Sequence, residues 1–229
     1  MTIPRCDRNI LLVEGVEEKF LIPELIEQAG NIPWGDYKKK LHPVEMRMCG
    51  GVVNLLDRDR VAAILKTPNL ESVGVVVDAN GNLAARWEQV RDRFNASFPS
   101  LAHQMPATGL IEVNAVGLRL GIWSMPDNQS EGMLETLLQR LIPQNQLPLL
   151  DHAKTAAATA RAKGAQFSES HGIKAEMHTW LAWQEPPGLQ LHEAVMAKVL
   201  DPQSASAKAF VDWFIELFQL HDLRRPAPT

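Results

Sequence analysis

The strongest constraint on this chain is a pattern that recurs three times: an unbroken apolar run stops at an acidic residue and hands over to a helix-forming stretch. Ile10 to Val13 run into Glu14 and Gly15. The segment 72–78, Ser-Val-Gly-Val-Val-Val-Asp, ends on Asp78, and 118–123 leads through Ser124, Met125 and Pro126 to Asp127. A continuous apolar run bounded by glycine or a turn reads as a strand buried on both faces, which favours a parallel sheet. Helical patterns follow over 17–29, 83–98 and 132–142, and the resulting βα alternation implies right-handed crossovers. The expected fold class is α/β, a mostly parallel sheet flanked by helices.

The intervening segments fill in that frame. Segment 43–51 alternates apolar and charged residues and suits a short edge strand, while 54–66 reads as one helix ended by Thr67-Pro68. Segments 109–114 and 118–123 read as a β-hairpin turning at 115–117. Pro23 lies inside 17–29 and removes a backbone hydrogen bond, so the helix should kink or begin its regular part near Ile22. The polar stretch 31–40, with Pro33, Trp34 and Gly35, reads as a loop. Ser130 is the expected N-cap of the 132–142 helix, and Pro143 closes it.

From residue 149 the pattern is helical only, over 151–164, 174–183, 191–200 and 205–220. An α/β domain over 1–148 with a C-terminal helical layer over 149–229 is expected, packed as one compact unit because no flexible linker separates them. Trp180, Trp183, Trp213, Phe214 and Phe218 read as core rather than as a stacking platform for bases. The Arg224-Arg225-Pro226 end is expected to fray.

Composition narrows the class. The chain is 45% hydrophobic and 22% charged, ordinary for a globular protein, and no apolar run is long enough to span a bilayer. Cys6 and Cys49 form no metal-binding spacing and no disulfide framework. A cytoplasmic protein with no membrane association is expected. The net charge of −4 argues against a broad basic nucleic-acid surface, but leaves open a nucleic-acid substrate bridged through metal ions.

The strand-end acids carry the chemistry. Hard divalent cations take oxygen ligands, usually a few carboxylates completed by water and substrate phosphate. Glu14, Asp78 and Asp127 fit if their strands are neighbours, because all would emerge at one sheet edge. Glu14 and Asp78 are read as metal ligands, since each closes an unbroken apolar strand. For Glu18 and Glu135 a first-turn role complementing the helix dipole competes on equal terms with a metal role. Asn80 offers an amide oxygen, but Asn80-Gly81 is also a turn pair. Lys174 can meet a phosphate or close off the carboxylates, against the ordinary reading of a solvated lysine. Ser124 has no histidine placed as its base and is read as structural. His171, His178 and His192 suit no metal motif.

Val-Glu-Gly followed by Glu17-Glu18, the strand ending Val-Val-Val-Asp-Ala-Asn, and the later acidic turn resemble the Toprim domain. That domain occurs in topoisomerases, primases and nucleases of the OLD (overcoming lysogenization defect) group. Its pattern is a glutamate after the first strand and an Asp-x-Asp pair after a later one, together binding Mg2+ for phosphodiester chemistry. More narrowly, 121–128 with Gly132-Met133-Leu134-Glu135, then Lys174-Ala175 and Thr179-Trp180-Leu181-Ala182, resemble an uncharacterised Toprim-like bacterial family known as DUF3226. The resemblance covers most of residues 8 to 220. By position Glu14 matches the Toprim glutamate and Asp78 the first aspartate of the pair. The second member is Asn80, which lowers the charge available to Mg2+ unless Asp127 or Glu135 replaces it.

The resemblance implies a Toprim-like fold and a Mg2+- or Mn2+-dependent nuclease or phosphotransfer enzyme acting on nucleic acid. Glu14 would serve as metal ligand or general acid/base and Asp78 as metal ligand. Asp127 and Glu135 would complete one or two metal positions, with Glu18 and Lys174 behind them. The alternative it implies is a non-catalytic module working with an ABC-type or AAA-type ATPase partner. A small-phosphate enzyme is a third reading, and a dimer is compatible with each.

Overall fold

The computed structural model describes residues 8–35 and 42–225. Cys6, the 36–40 part of the expected loop, and Pro226 lie outside the described residues. The described residues form an α/β fold built on a five-stranded sheet in the order β2-β1-β3-β5-β4. Its strands are β1 (Asn9–Val13), β2 (Glu45–Met48), β3 (Ser72–Asp78), β4 (Leu110–Val113) and β5 (Arg119–Met125). The pairs β1–β2, β1–β3 and β3–β5 are parallel; only the β4 edge is antiparallel, joined to β5 by the expected hairpin.

Side chains alternate across the sheet, so each central strand feeds two cores. Leu11, Val13, Val76, Trp123 and Met125 enter one core, whereas Ile10, Leu12, Val73, Val75, Val77 and Ile122 enter the other. Burial on both faces is why these strands read as continuous apolar runs. The first core is closed by α1 (Val16–Gln28), by α5 (Leu134–Gln139) and by α6 (Leu147–Ala162), α7 (Gly172–Leu181), α8 (Leu191–Met196) and α9 (Ala205–Phe218). The second is closed by α2 (Val52–Leu55), α3 (Arg58–Leu65) and α4 (Leu83–Phe94).

Helix α9 lies against β3 and β5 at a pair of glycines. Gly74 and Gly121 are register partners on neighbouring strands, and the Leu217 side chain sits against both. A Cβ at Gly121 would come within 2.7 Å of Leu217 Cδ1, closer than real Cβ contacts allow. The Ser72 hydroxyl donates to the Leu217 carbonyl at 3.3 Å, and Trp213 Nε1 donates to the Leu110 carbonyl at 3.1 Å. Trp180, Trp213, Phe214 and Phe218 are core residues as expected, but Trp183 is 41% exposed and stacks on His152.

Several boundaries differ from expectation for local reasons. Helix α1 begins at Val16 and runs through Pro23, which is buried, rather than starting near Ile22. The 54–66 helix is two helices, because the Asp57 side chain accepts from Arg60 N–H at 2.8 Å and caps a fresh start at Arg58. Helix α5 starts at Leu134, with Met133 rather than Ser130 at its N-cap. The Ser130 hydroxyl donates to Asp127 instead, at 2.7 Å.

The order of strands fixes where a site can form. β1 has β2 on one side and β3 on the other, and the helices leaving β1 and β3 cover opposite faces. The β1–β3 boundary is therefore the topological switch point, the place where open α/β sheets generally bind ligands. Glu14 and Asp78 stand on either side of it.

Candidate functional site

Glu14 follows the last residue of β1, and Asp78 is the last residue of β3. Glu14 Oε1 accepts the backbone N–H of Asp78 at 2.9 Å, which joins the two strand ends directly. The Glu14 carbonyl accepts N–H groups from Gly50 and Gly51, each at 2.9 Å, so the turn after β2 clamps the same residue. Both glycines have positive φ, 74° and 100°, a conformation that L side chains rarely adopt.

Asp78 is held from the other direction. Its Oδ1 accepts the N–H of Leu134 at 3.1 Å, one of the orphan donors in the first turn of α5, and its carbonyl accepts from Arg86 Nε at 3.0 Å. Glu18 lies in the first turn of α1, 7% exposed, and its Oε2 accepts the Gly15 N–H at 3.1 Å. That bond is the first-turn role, one of the two readings open for Glu18. It also brings Glu18 into the same charge cluster.

Glu135 is the fourth member. It sits in the first turn of α5 and is 1% exposed, yet it is a carboxylate. Its Oε1 pairs with Lys174 Nζ of α7 at 3.2 Å, and its buried Oε2 has no hydrogen-bond partner among the described residues. Lys174 thus meets a carboxylate, and α7 of the C-terminal layer delivers it to the sheet edge.

These groups act on one another electrostatically. Desolvation at the sheet edge, then the charges of Glu14, Glu18 and Glu135, hold the Asp78 carboxyl well above its ordinary value. Burial raises Glu18, and Glu14 and Glu135 add to it against the opposing backbone hydrogen bonds. Burial works against the Lys174 charge, but Glu135, Asp78 and Glu18 outweigh it and raise the ammonium.

Asp127 and Asn80 are engaged elsewhere. Asp127 Oδ2 pairs with Arg140 Nη1 at 2.6 Å, and Oδ1 accepts the N–H groups of Ser130 at 2.7 Å and Gln129 at 3.1 Å. Partial burial opposes its charge, but Arg140 and Ser130 prevail and hold the carboxyl at about 2. Asp127 is the keystone of its own turn, with Arg140 its partner. Asn80 adopts φ 51° and pairs its backbone with Gly132 at 2.7 and 2.8 Å, while its side chain faces solvent. The turn reading describes it.

Sequence reasoning missed Arg140, and it missed the part played by the Leu134 and Gly15 N–H groups. The backbone donors leave no side-chain signal. A cleft of about 760 Å³ opens beyond β3 and β5, bounded by Asn82, Trp87, Arg91, His103, Met105 and Gln129. Among the described residues no group of three or more His, Cys, Asp or Glu side chains stands arranged to hold a metal ion. No helix among them is long and apolar enough to cross a membrane.

Fold and site together define a class: an α/β protein that gathers acids at the switch point of a mostly parallel sheet. The chain belongs to the DUF3226 family of proteins of unknown function, matched over residues 8–219. No curated protein and no solved structure matches it.

Proposed function

We propose that the protein is a Toprim-type, divalent-metal-dependent nuclease or phosphotransfer enzyme acting on nucleic acid, with Mg2+ or Mn2+ at the β1–β3 switch point. The observation that carries this reading is the Glu14–Asp78 junction, with Glu18 and Glu135 in the same charge cluster. What supports the reading is donor type and not arrangement: all four side chains offer oxygens, the ligands a hard cation takes, and Glu135 Oε2 is a buried acceptor without a partner among the described residues, while the four do not stand as a metal-holding group. Glu14, Asp78 and Glu135 would hold the ion, with Glu18 behind them. Asp127 is left out, because Arg140 and Ser130 occupy it.

A bound ion would polarise a phosphoryl oxygen and lower the pKa of an attacking water. The chain's own residues supply position. The Asp78, Leu134 and Gly15 N–H groups each fix one carboxylate oxygen on Glu14, Asp78 and Glu18 respectively, which orients these side chains before any substrate arrives. Crowding of the acids favours release of their charge onto a cation. The cleft beyond β3 and β5, with Arg91 and His103 in its wall, would accept a strand.

The test is cleavage of plasmid, single-stranded DNA and RNA in Mg2+ or Mn2+. The wild type should cut, and Glu14→Gln and Asp78→Asn should each lose about 100-fold or more, since even partners behind a metal ligand are worth ~10–100-fold. A wild type that cuts nothing, or variants that cut equally well, would overturn the reading.

Two features favour a second reading, a non-catalytic module docking on an ABC-type or AAA-type ATPase. Lys174 already neutralises Glu135, and Asn80 replaces an acid. Co-purification with the product of a neighbouring gene would support it. A lone, monodisperse protein with tight Mn2+ binding would count against it.

A further inference from the structure

We infer that the outer edge of β2 is a self-complementary interface, along which a second copy of this chain pairs antiparallel and joins two sheets into one.

The edge itself specifies this partner. β2 ends the sheet and is hydrogen-bonded to β1 alone among the described strands. Cys49 N–H donates to the Val13 carbonyl at 2.9 Å, and backbone groups alternate in direction along a strand. The amides of Glu45 and Arg47 therefore face β1, while those of Val44, Met46 and Met48 face outward. An antiparallel pair of identical strands has a two-fold axis centred on one residue. Centring it on Glu45 or Arg47 sets like charges opposite each other. Centring it on Met46 sets Glu45 of each copy opposite Arg47 of the other, so charge selects that register.

In this register the outward groups of Met46 pair with those of the second copy's Met46, and those of Met48 with those of the second copy's Val44. Glu45 and Arg47 share one face of the strand, 37% and 34% exposed, and are bonded to each other at 2.9 and 3.1 Å. Pairing keeps those bonds and adds a carboxylate across from each guanidinium, a square of alternating charge. Cross-strand pairs of opposite charge stabilise a sheet and like charges destabilise it. A ladder this short needs apolar contact beside it to make a stable interface. Met48, 46% exposed, and Val53, 83% exposed in the next helix α2, supply it at the end of the edge.

Sedimentation of the full chain should show a concentration-dependent dimer. Met48→Pro removes one outward N–H, leaves the bonds to β1 in place and should abolish the dimer. Glu45→Arg and Arg47→Glu each set like charges opposite one another on both sides of the axis, and each should weaken the dimer about 10-fold or more. Mixed, these two variants should form a heterodimer, because one presents two cations and the other two carboxylates at the same positions. A pair that served only its own chain could not be restored by mixing. A monomeric wild type, a dimer unaffected by Met48→Pro, or folded charge variants that do not pair on mixing would each overturn the inference. If circular dichroism shows a charge variant unfolded, Met48→Pro decides.

Discussion

Glu14 Oε1 and the backbone N–H of Asp78 are 2.9 Å apart, so two acids separated by 64 positions in sequence are joined by a hydrogen bond between the ends of neighbouring parallel strands. The bond orients the Glu14 carboxylate at the one edge of the sheet where the flanking helices diverge. It also places the charge of Glu14 beside Asp78, and that repulsion is built into the folded state.

Asp78→Asn removes the repulsion and keeps the shape. The amide oxygen still accepts from Leu134 N–H, while desolvation and the three neighbouring carboxylates no longer oppose an ionised group. At neutral pH the variant should be more stable than wild type by about 1 kcal/mol, roughly 2–4 °C in Tm, and inactive. A melting curve beside a cleavage assay checks the pair; a variant less stable than wild type would contradict the crowded-acid description.

The same groups set a pH dependence. Asp78 and Glu18 have raised carboxyls, so below neutrality the folded state holds protons that the unfolded chain gives up. Their contribution is fully present below the ordinary values of 3.8 and 4.5 and is lost as pH rises through the raised folded values. Stability should therefore increase as pH falls from 7 toward 5, and Asp78→Asn should flatten that slope. Denaturant unfolding across this range measures it.

Asp127 has the opposite sign. Held at about 2 by Arg140 and Ser130, it contributes stability above pH 3.8 that is lost as pH falls toward 2. Asp127→Ala should cost about 1–2 kcal/mol through the turn and its partly exposed ion pair, and leave Mn2+ affinity unchanged. A fall in Mn2+ affinity would return Asp127 to the site.

What was legible in the sequence follows from the two-sided burial of the sheet. Strands buried on both faces carry few polar residues, so β1, β3 and β5 stood out as largely apolar runs and the acids that follow them as exceptions. Neighbourhood was harder to read. Asp127 and Glu135 lie on either side of one turn and are indistinguishable by composition, yet Arg140 captures the first and burial captures the second. Asn80 was legible as a turn residue. Ser130 was misread because its hydroxyl donates to Asp127 rather than accepting a first-turn N–H, and residue type alone does not decide between those two local roles. The partnership of Lys174 with Glu135 needed the packing of α7 on α5, which no local pattern encodes.

The C-terminal layer makes its own prediction. Gly121→Ala would drive a methyl group into Leu217 at the closest approach of α9 to the sheet, and should destabilise by about 1–3 kcal/mol. Leu217→Ala in the same chain should recover part of that loss. Additive destabilisation in the double variant would contradict the contact.

The central claim, that the β1–β3 switch point holds a divalent cation, is tested most directly by crystals soaked in Mn2+ and measured at a wavelength where manganese scatters anomalously. One or more anomalous peaks bounded by Glu14, Asp78 and Glu135 are predicted. Crystals with no peak there at full Mn2+ would contradict it.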